Sequence, residues 1–169
     1  MARPPRVTDK RSGFDRPRTF LVTSQTAARR SLFQSERMAE LMIDVLRSYA
    51  FAGRFVIHDF VIMPDHVHIL LTIPGDLSIE RAVQLIKGGF SFRAKKEIGF
   101  NGEVWQKGFA EEGVRDRSSF LRHRAYIEQN PAEAGLAKSS AEYPYSSACL
   151  KEMKRMSVAA PEQGLKPES

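Results

Sequence analysis

The hydrophobic pattern of this chain changes period several times, and the order of those changes predicts a fold. Residues 19–26 (Thr-Phe-Leu-Val-Thr-Ser-Gln-Thr) are β-prone and predict a first strand. A loop follows over 27–31. Ser35 is then an N-cap, and Met38, Leu41, Met42, Val45, Leu46 and Tyr49 recur at helical spacing until Gly53. Residues 54–63 predict a second strand, joined by Pro64-Asp65 to a third over 66–73, which Pro74-Gly75-Asp76 closes. Ser78 caps a second helix with Ile79, Ala82, Val83, Ile86 and Phe90 on its buried face. Within it, Gly88-Gly89 marks a bend or a close approach. A turn over 99–102 leads to a broken fourth strand, read from Val104-Trp105 to Phe109 and again at Gly113-Val114. Asp116 or Ser118 caps a third helix over 118–130, stopped by Pro131. The aromatic segment 143–147 is expected to pack back on the body.

The order is β-α-β-β-α-β with an added C-terminal helix. It predicts an α+β chain with a ferredoxin-like antiparallel sheet, the first two helices covering its apolar face. One folded domain is expected over 18–150. A flexible basic arm (1–17) precedes it, and a polar, disordered tail (151–169) follows.

The third strand carries the chemistry. In Met63-Pro-Asp-His-Val-His-Ile-Leu-Leu-Thr72, side chains alternate faces. Val67, Ile69, Leu71 and Ile73 share a core face. His66 and His68 stand together on the opposite one. Imidazoles so spaced serve either as half-exposed polar positions or as a pair of ligands to one metal ion. On the third helix, Phe120, Leu121, Ala125 and Ile127 fall in one arc, and Tyr126 falls nearly opposite. Beside Tyr126 lie Arg122, His123, Gln129 and Asn130. This is either a surface tyrosine on an amphipathic helix or a hydroxyl poised near a bound metal, able to attack a phosphorus atom.

Composition changes the picture little. The 169 residues are 42% hydrophobic and 27% charged, as in an ordinary globular domain. No run of about 18 apolar residues occurs, so no membrane span is expected. The N-terminal residues lack the apolar core of a secretory signal. Cys149 is the only cysteine, which excludes an internal disulfide and fits a reducing compartment. Net charge is +6, of which residues 1–19, with Arg16 and Arg18 among them, contribute +4. The other dense basic cluster is Arg93, Lys95 and Lys96. A polyanionic partner suits this balance, and a merely solvated arm and helix end suit it too.

Taken together these stretches resemble a known family. His66-Val67-His68 is similar to the histidine–hydrophobic–histidine (HUH) signature of single-strand DNA nickases. Tyr126 in Tyr-Ile-Glu-Gln-Asn-Pro131 is similar to the catalytic residue of single-tyrosine transposases. With Phe20-Leu-Val-Thr23, Val104-Trp-Gln-Lys-Gly-Phe109, Ala134-Gly-Leu136 and Tyr143-Pro-Tyr-Ser-Ser147, the chain resembles the REP-associated tyrosine transposases over about 18–148. The resemblance implies a ferredoxin-like enzyme acting on single-stranded or hairpin DNA at palindromic repeats. Tyr126 would form a 5′-phosphotyrosine and release a 3′-OH, and the reverse step would rejoin strands. It implies Mg²⁺ or Mn²⁺ on His66, His68 and Asn130, with Gln129 as the other choice of third ligand. Arg122 and His123 become candidates for phosphate contact, and Arg93, Lys95, Lys96, Arg16 and Arg18 for holding the DNA backbone. A cytoplasmic, nucleoid-associated monomer or homodimer is expected. Glu133, and Glu111-Glu112 near the fourth strand, depart from the pattern by placing negative charge where phosphate contacts are expected. Two other readings stand beside this one: a hairpin-binding regulator without turnover, and a ferredoxin-like RNA-binding module. The latter would offer aromatics on its central strands, where this chain has histidines.

Overall fold

A computed structural model describes residues 16–151. The arm (1–17) and the tail (151–169) therefore lie almost wholly outside the described residues. Four strands, β1 (Arg18–Gln25), β2 (Val56–Met63), β3 (His66–Ile73) and β4 (Ala110–Val114), form one sheet in the order β2-β3-β1-β4. Every pairing is antiparallel. The fold is the predicted ferredoxin-like α+β arrangement.

Helices α1 (Glu36–Phe51) and α2 (Ile79–Arg93) pack on one face of the sheet. Ser35 caps α1 by accepting from Met38 N, and Ser78 caps α2 by accepting from Arg81 N. Gly53, at φ +72°, ends α1. The main core lies between these helices and Val67, Ile69, Leu71 and Ile73 of β3. A second apolar cluster lies on the other face, where Leu21, Val61, Met63 and Leu70 meet Ile127 and Tyr143. The histidine strand is thus buried on both sides. Helix α3 (Arg117–Glu133) covers that second face, with Asp116 as its N-cap in a capping box with Ser119. Ile62 N donates to Tyr145 O (2.8 Å), so the aromatic C-terminal segment covers the β2 edge, as expected.

The structure corrects several predicted elements. Residues 104–109 are not a strand: Trp105 makes a single bridge to Thr26, and its ring packs against Phe33 and Phe90. The apolar spacing there reflects an irregular segment entering the core, so β4 is only Ala110–Val114. Helix α3 does not stop at Pro131 but runs to Glu133, because a proline in the last turn costs only one intrahelical bond. Gly88-Gly89 does not interrupt α2. The close-approach reading holds at Gly89: a Cβ there would lie 2.6 Å from the Tyr49 hydroxyl, which donates to Leu85 O at 2.8 Å.

This contrast gives a test by chemical denaturation. A Cβ at Gly88 would meet open space, with nothing within 4 Å, so Gly88→Ala is expected to stabilise by about 0.5–1 kcal/mol through helix propensity. Gly89→Ala is expected to destabilise by about 1 kcal/mol, because the overlap displaces Tyr49 and its hydrogen bond.

Candidate active site on the histidine strand

The β1–β3 register pairs Thr23 with His68 and Gln25 with His66. Thr23 Oγ1 lies 2.8 Å from His68 Nδ1. Asp65 Oδ1 lies 2.6 Å from His66 Nδ1 and accepts its hydrogen bond. Both imidazoles are therefore held through Nδ1, which leaves Nε2 free in the matching tautomers. His68 is 3% exposed, and among the described residues its buried Nε2 has no hydrogen-bond partner. Burial pushes the His68 pKa down to about 4, helped by the positive charge of His66 and opposed by the neighbouring Asn130 side chain. Burial alone would raise the Asp65 carboxyl, but the hydrogen bond from His66, with the charges of His66 and Arg29, holds it below the usual carboxylate range.

The two rings stand edge to face, with centroids 4.8 Å apart. The Tyr126 ring meets His68 in the same way at 5.2 Å. All three side chains come together within one chain. Tyr126 remains 47% exposed and lines an open cleft. Asn130 lies one turn further along α3, its Nδ2 donating to Tyr126 O at 3.0 Å. Gln129 points outward and is exposed. Among the described residues no three His, Cys, Asp or Glu side chains converge as a metal cluster. Two imidazoles and an amide oxygen nevertheless form a donor set that suits a divalent cation with open positions, and the unpartnered His68 Nε2 fits that role.

A bulge in β2 sets the position of α3. The register slips between Ile57 and Asp59, so His58 and Asp59 both turn toward α3. His58 Nε2 lies 2.6 Å from Thr72 Oγ1, and its ring meets Phe120 edge-on. Asp59, 1% exposed, has its Oδ2 3.0 Å from Arg124 Nε, two residues before the tyrosine. Its Oδ1 accepts from Lys151 Nζ (2.8 Å) and Ser147 Oγ (3.1 Å). The expected apolar arc of α3 holds at Ile127 and Phe120 but not at Leu121, which is 48% exposed.

The remaining candidates are dispersed. Arg122 and His123 line a cleft of about 280 Å³ with Tyr126, Thr23, Glu111 and Glu112. Arg93 is taken up by Asp44 and Glu97, both at 2.6 Å, on the α1–α2 side of the sheet away from the histidines. Exposed Lys95 and Lys96 follow α2 there, with Lys96 over the Phe92 ring. Arg18 pairs with Ile73 at the far end of β1 and donates to Leu77 O, and Arg16 is exposed. The structure brings together His66, His68, Tyr126, Asn130, Arg122 and His123, and not the others. Thr23, Asp65, Asp59, Arg124 and Glu112 were not singled out from the sequence as site residues. Only the long-range β1–β3 register could have pointed to Thr23.

Two outcomes follow. The metal-free protein is expected to lose about 3 kcal/mol of stability as pH falls from 6.5 to 4, because the unfolded chain binds the His68 proton first. Denaturant titrations across that range check this, and His68→Gln should remove most of the slope. Asp59→Ala is expected to destabilise by about 3 kcal/mol, because it strands the cations around a buried carboxylate. Thermal melts measure this directly.

Residues 20–130 match the family described as "Transposase IS200 like". The REP-associated tyrosine transposase of Escherichia coli K12 is 29% identical over 94 residues, 55% of this chain and 54% of that protein. A REP-associated relative from Haemophilus influenzae Rd is 31% identical over 96 residues, 51% of this chain and 54% of that protein. The chain thus spans about half the length of these relatives. Among solved structures, the REP-associated tyrosine transposase bound to a REP hairpin aligns with a TM-score of 0.60 and 27% identity, over 77% of this chain and 76% of that one. A transposase structure from Deinococcus radiodurans R1 shares the fold, with a TM-score of 0.51 and 21% identity over 68% of this chain and 92% of that one. With the family match running from β1 through the tyrosine helix to Asn130, the chain belongs to the IS200-like transposase family.

Proposed function

We propose that this chain cleaves and rejoins single-stranded DNA beside hairpin-forming repeats, with Tyr126 as the nucleophile. The observation that carries the reading is Tyr126 packed on His68, at 5.2 Å between centroids, with His66 alongside in the same chain. The hairpin substrate draws support from the relative whose structure holds a REP hairpin.

His66, His68 and Asn130 would hold a divalent cation, Mg²⁺ or Mn²⁺. Bound there, the ion supplies charge that polarises a phosphate oxygen. The protein's own groups do the rest. Thr23 and Asp65 hold the two rings through Nδ1, which leaves each Nε2 for the ion. Tyr126 Oη attacks the phosphorus. The Oη–P bond forms, the P–O3′ bond breaks, and the phenol gives up its proton. The products are a 5′-phosphotyrosine and a free 3′-OH. In the reverse step a 3′-OH attacks the phosphotyrosine, and Tyr126 regains its proton. Arg122, on the same cleft, sets a fixed positive charge beside the incoming phosphate.

A binding-only reading draws on Glu111 and Glu112, whose charge opposes a phosphate path along β4. One experiment separates the two. Labelled hairpin oligonucleotides with single-stranded flanks are incubated with the protein and Mn²⁺ or Mg²⁺, then run on a denaturing gel. The expected result is a metal-dependent, slower-migrating covalent band, absent from Tyr126→Phe. Tight hairpin binding with no adduct under either metal would replace the transferase reading with the regulator.

A further inference from the structure

We infer that His123, held by Glu112, is the base that takes the Tyr126 hydroxyl proton; this rests on the phosphotyrosine chemistry proposed above. His123 precedes Tyr126 by three residues on α3, so both side chains lie on one flank of the helix. Both line the cleft of about 280 Å³ between α3 and the β1–β4 pair. The His123 side chain is only 17% exposed, although its helix forms an outer layer of the domain. Its Nδ1 lies 3.5 Å from Glu112 Oε2 on β4.

That contact sets the chemistry of the ring. A carboxylate 3.5 Å from Nδ1 favours the proton on that nitrogen by charge rather than by a hydrogen bond, leaving the lone pair on Nε2, and it compensates on the far side the charge the ring gains. A histidine serving only to bind phosphate through positive charge would be weakened by such a partner. An imidazole that must take up a proton is strengthened by it. The arrangement also gives Glu112 a use beside a phosphate-handling cleft, where a carboxylate otherwise repels the substrate. The charged and titratable groups bordering the cleft besides His123 are Arg122 and Tyr126 on α3, with Glu111 and Glu112 on β4.

The proton balance is simple. In cleavage the Oη–H proton of Tyr126 passes to His123 Nε2 as Oη bonds to phosphorus. The P–O3′ bond breaks, and the 3′-oxygen takes a proton from water. In rejoining, the imidazolium returns its proton to Tyr126 Oη as the P–Oη bond breaks, and the attacking 3′-OH loses its proton to water.

Single-turnover adduct formation by the full chain tests this, with hairpin oligonucleotides and Mn²⁺ over pH 5 to 8.5. His123→Gln is expected to slow the adduct about 100-fold and to lose the acid limb of the pH profile, with hairpin affinity unchanged. Glu112→Gln changes an exposed strand position that tolerates substitution. It is expected to slow the reaction several-fold and shift that limb to lower pH. With sulfur replacing the bridging 3′-oxygen, the His123→Gln deficit should persist, because the thiolate leaves unaided while the phenol still needs a base. In metal-free Tyr126→Phe protein, nitrogen NMR should show His123 protonated on Nδ1.

A His123→Gln rate within threefold of the parent overturns the inference. So does a loss that tracks hairpin affinity, rescue by the sulfur substrate, an Nε2–H tautomer, or an unmoved acid limb in Glu112→Gln. A parent protein that forms no adduct overturns the nuclease reading itself. A parent adduct with His123→Gln unaffected overturns this step alone.

Discussion

Antiparallel pairing of β1 with β3 sets Thr23 against His68 and supplies the hydrogen bond that this buried imidazole needs. The constraint is severe because β3 is covered on both faces, so a polar ring at position 68 is desolvated whatever it does. One nitrogen has the threonine hydroxyl. The other faces the tyrosine helix with no hydrogen-bond partner among the described residues. Such an atom is costly to keep, since an apolar side chain of the same size would be more stable there. A slip of one residue in this register would turn both histidines into the α1–α2 core and remove the site altogether.

Helix α3 has little apolar surface of its own, and polar contacts decide how it lies. Ile127 and Phe120 give it a grip on the sheet, while the Asp59–Arg124 pair and the Tyr126–His68 contact fix its rotation. The bulge at His58 makes this possible by turning two successive polar side chains to the same side. Arg93, at the end of α2, is engaged within the fold between Asp44 and Glu97. Charge near the tyrosine is therefore sparse and mixed, and small changes there alter its balance strongly.

Much of this was legible in the sequence. Caps at Ser35 and Ser78 and regular apolar stripes announced α1 and α2, and strict alternation after Pro64-Asp65 announced β3 and the face of its histidines. The long-range consequences were not legible. Trp105 produces an apolar spacing that imitates a strand, but its ring is claimed by Phe33 and Phe90 from elements distant in sequence. Leu121 fits an apolar arc on paper, yet the arc of α3 that meets the sheet is set by Arg124 and Asp59. Thr23 carries no local signal at all, because its role depends on a partner 45 residues away. The basic residues were easy to count, but counting did not reveal that Arg93 faces two carboxylates.

Asp59 has a consequence for how the molecule is made. Its carboxylate gathers Arg124 from α3 and then Ser147 and Lys151, the last of them 92 residues downstream. A nascent chain that has emerged only through β3 already possesses Thr23, Asp65 and both histidines in pairing strands. It does not yet possess Tyr126, and the buried Asp59 carboxylate that orients the tyrosine's helix is not fully compensated until Lys151 arrives. During synthesis, the two histidines are therefore set in register before the helix that carries Tyr126 and Asn130 can dock. A product truncated before α3 would carry the paired histidines without Tyr126 or Asn130, so the full cluster comes together only once the residues that compensate Asp59 have been made.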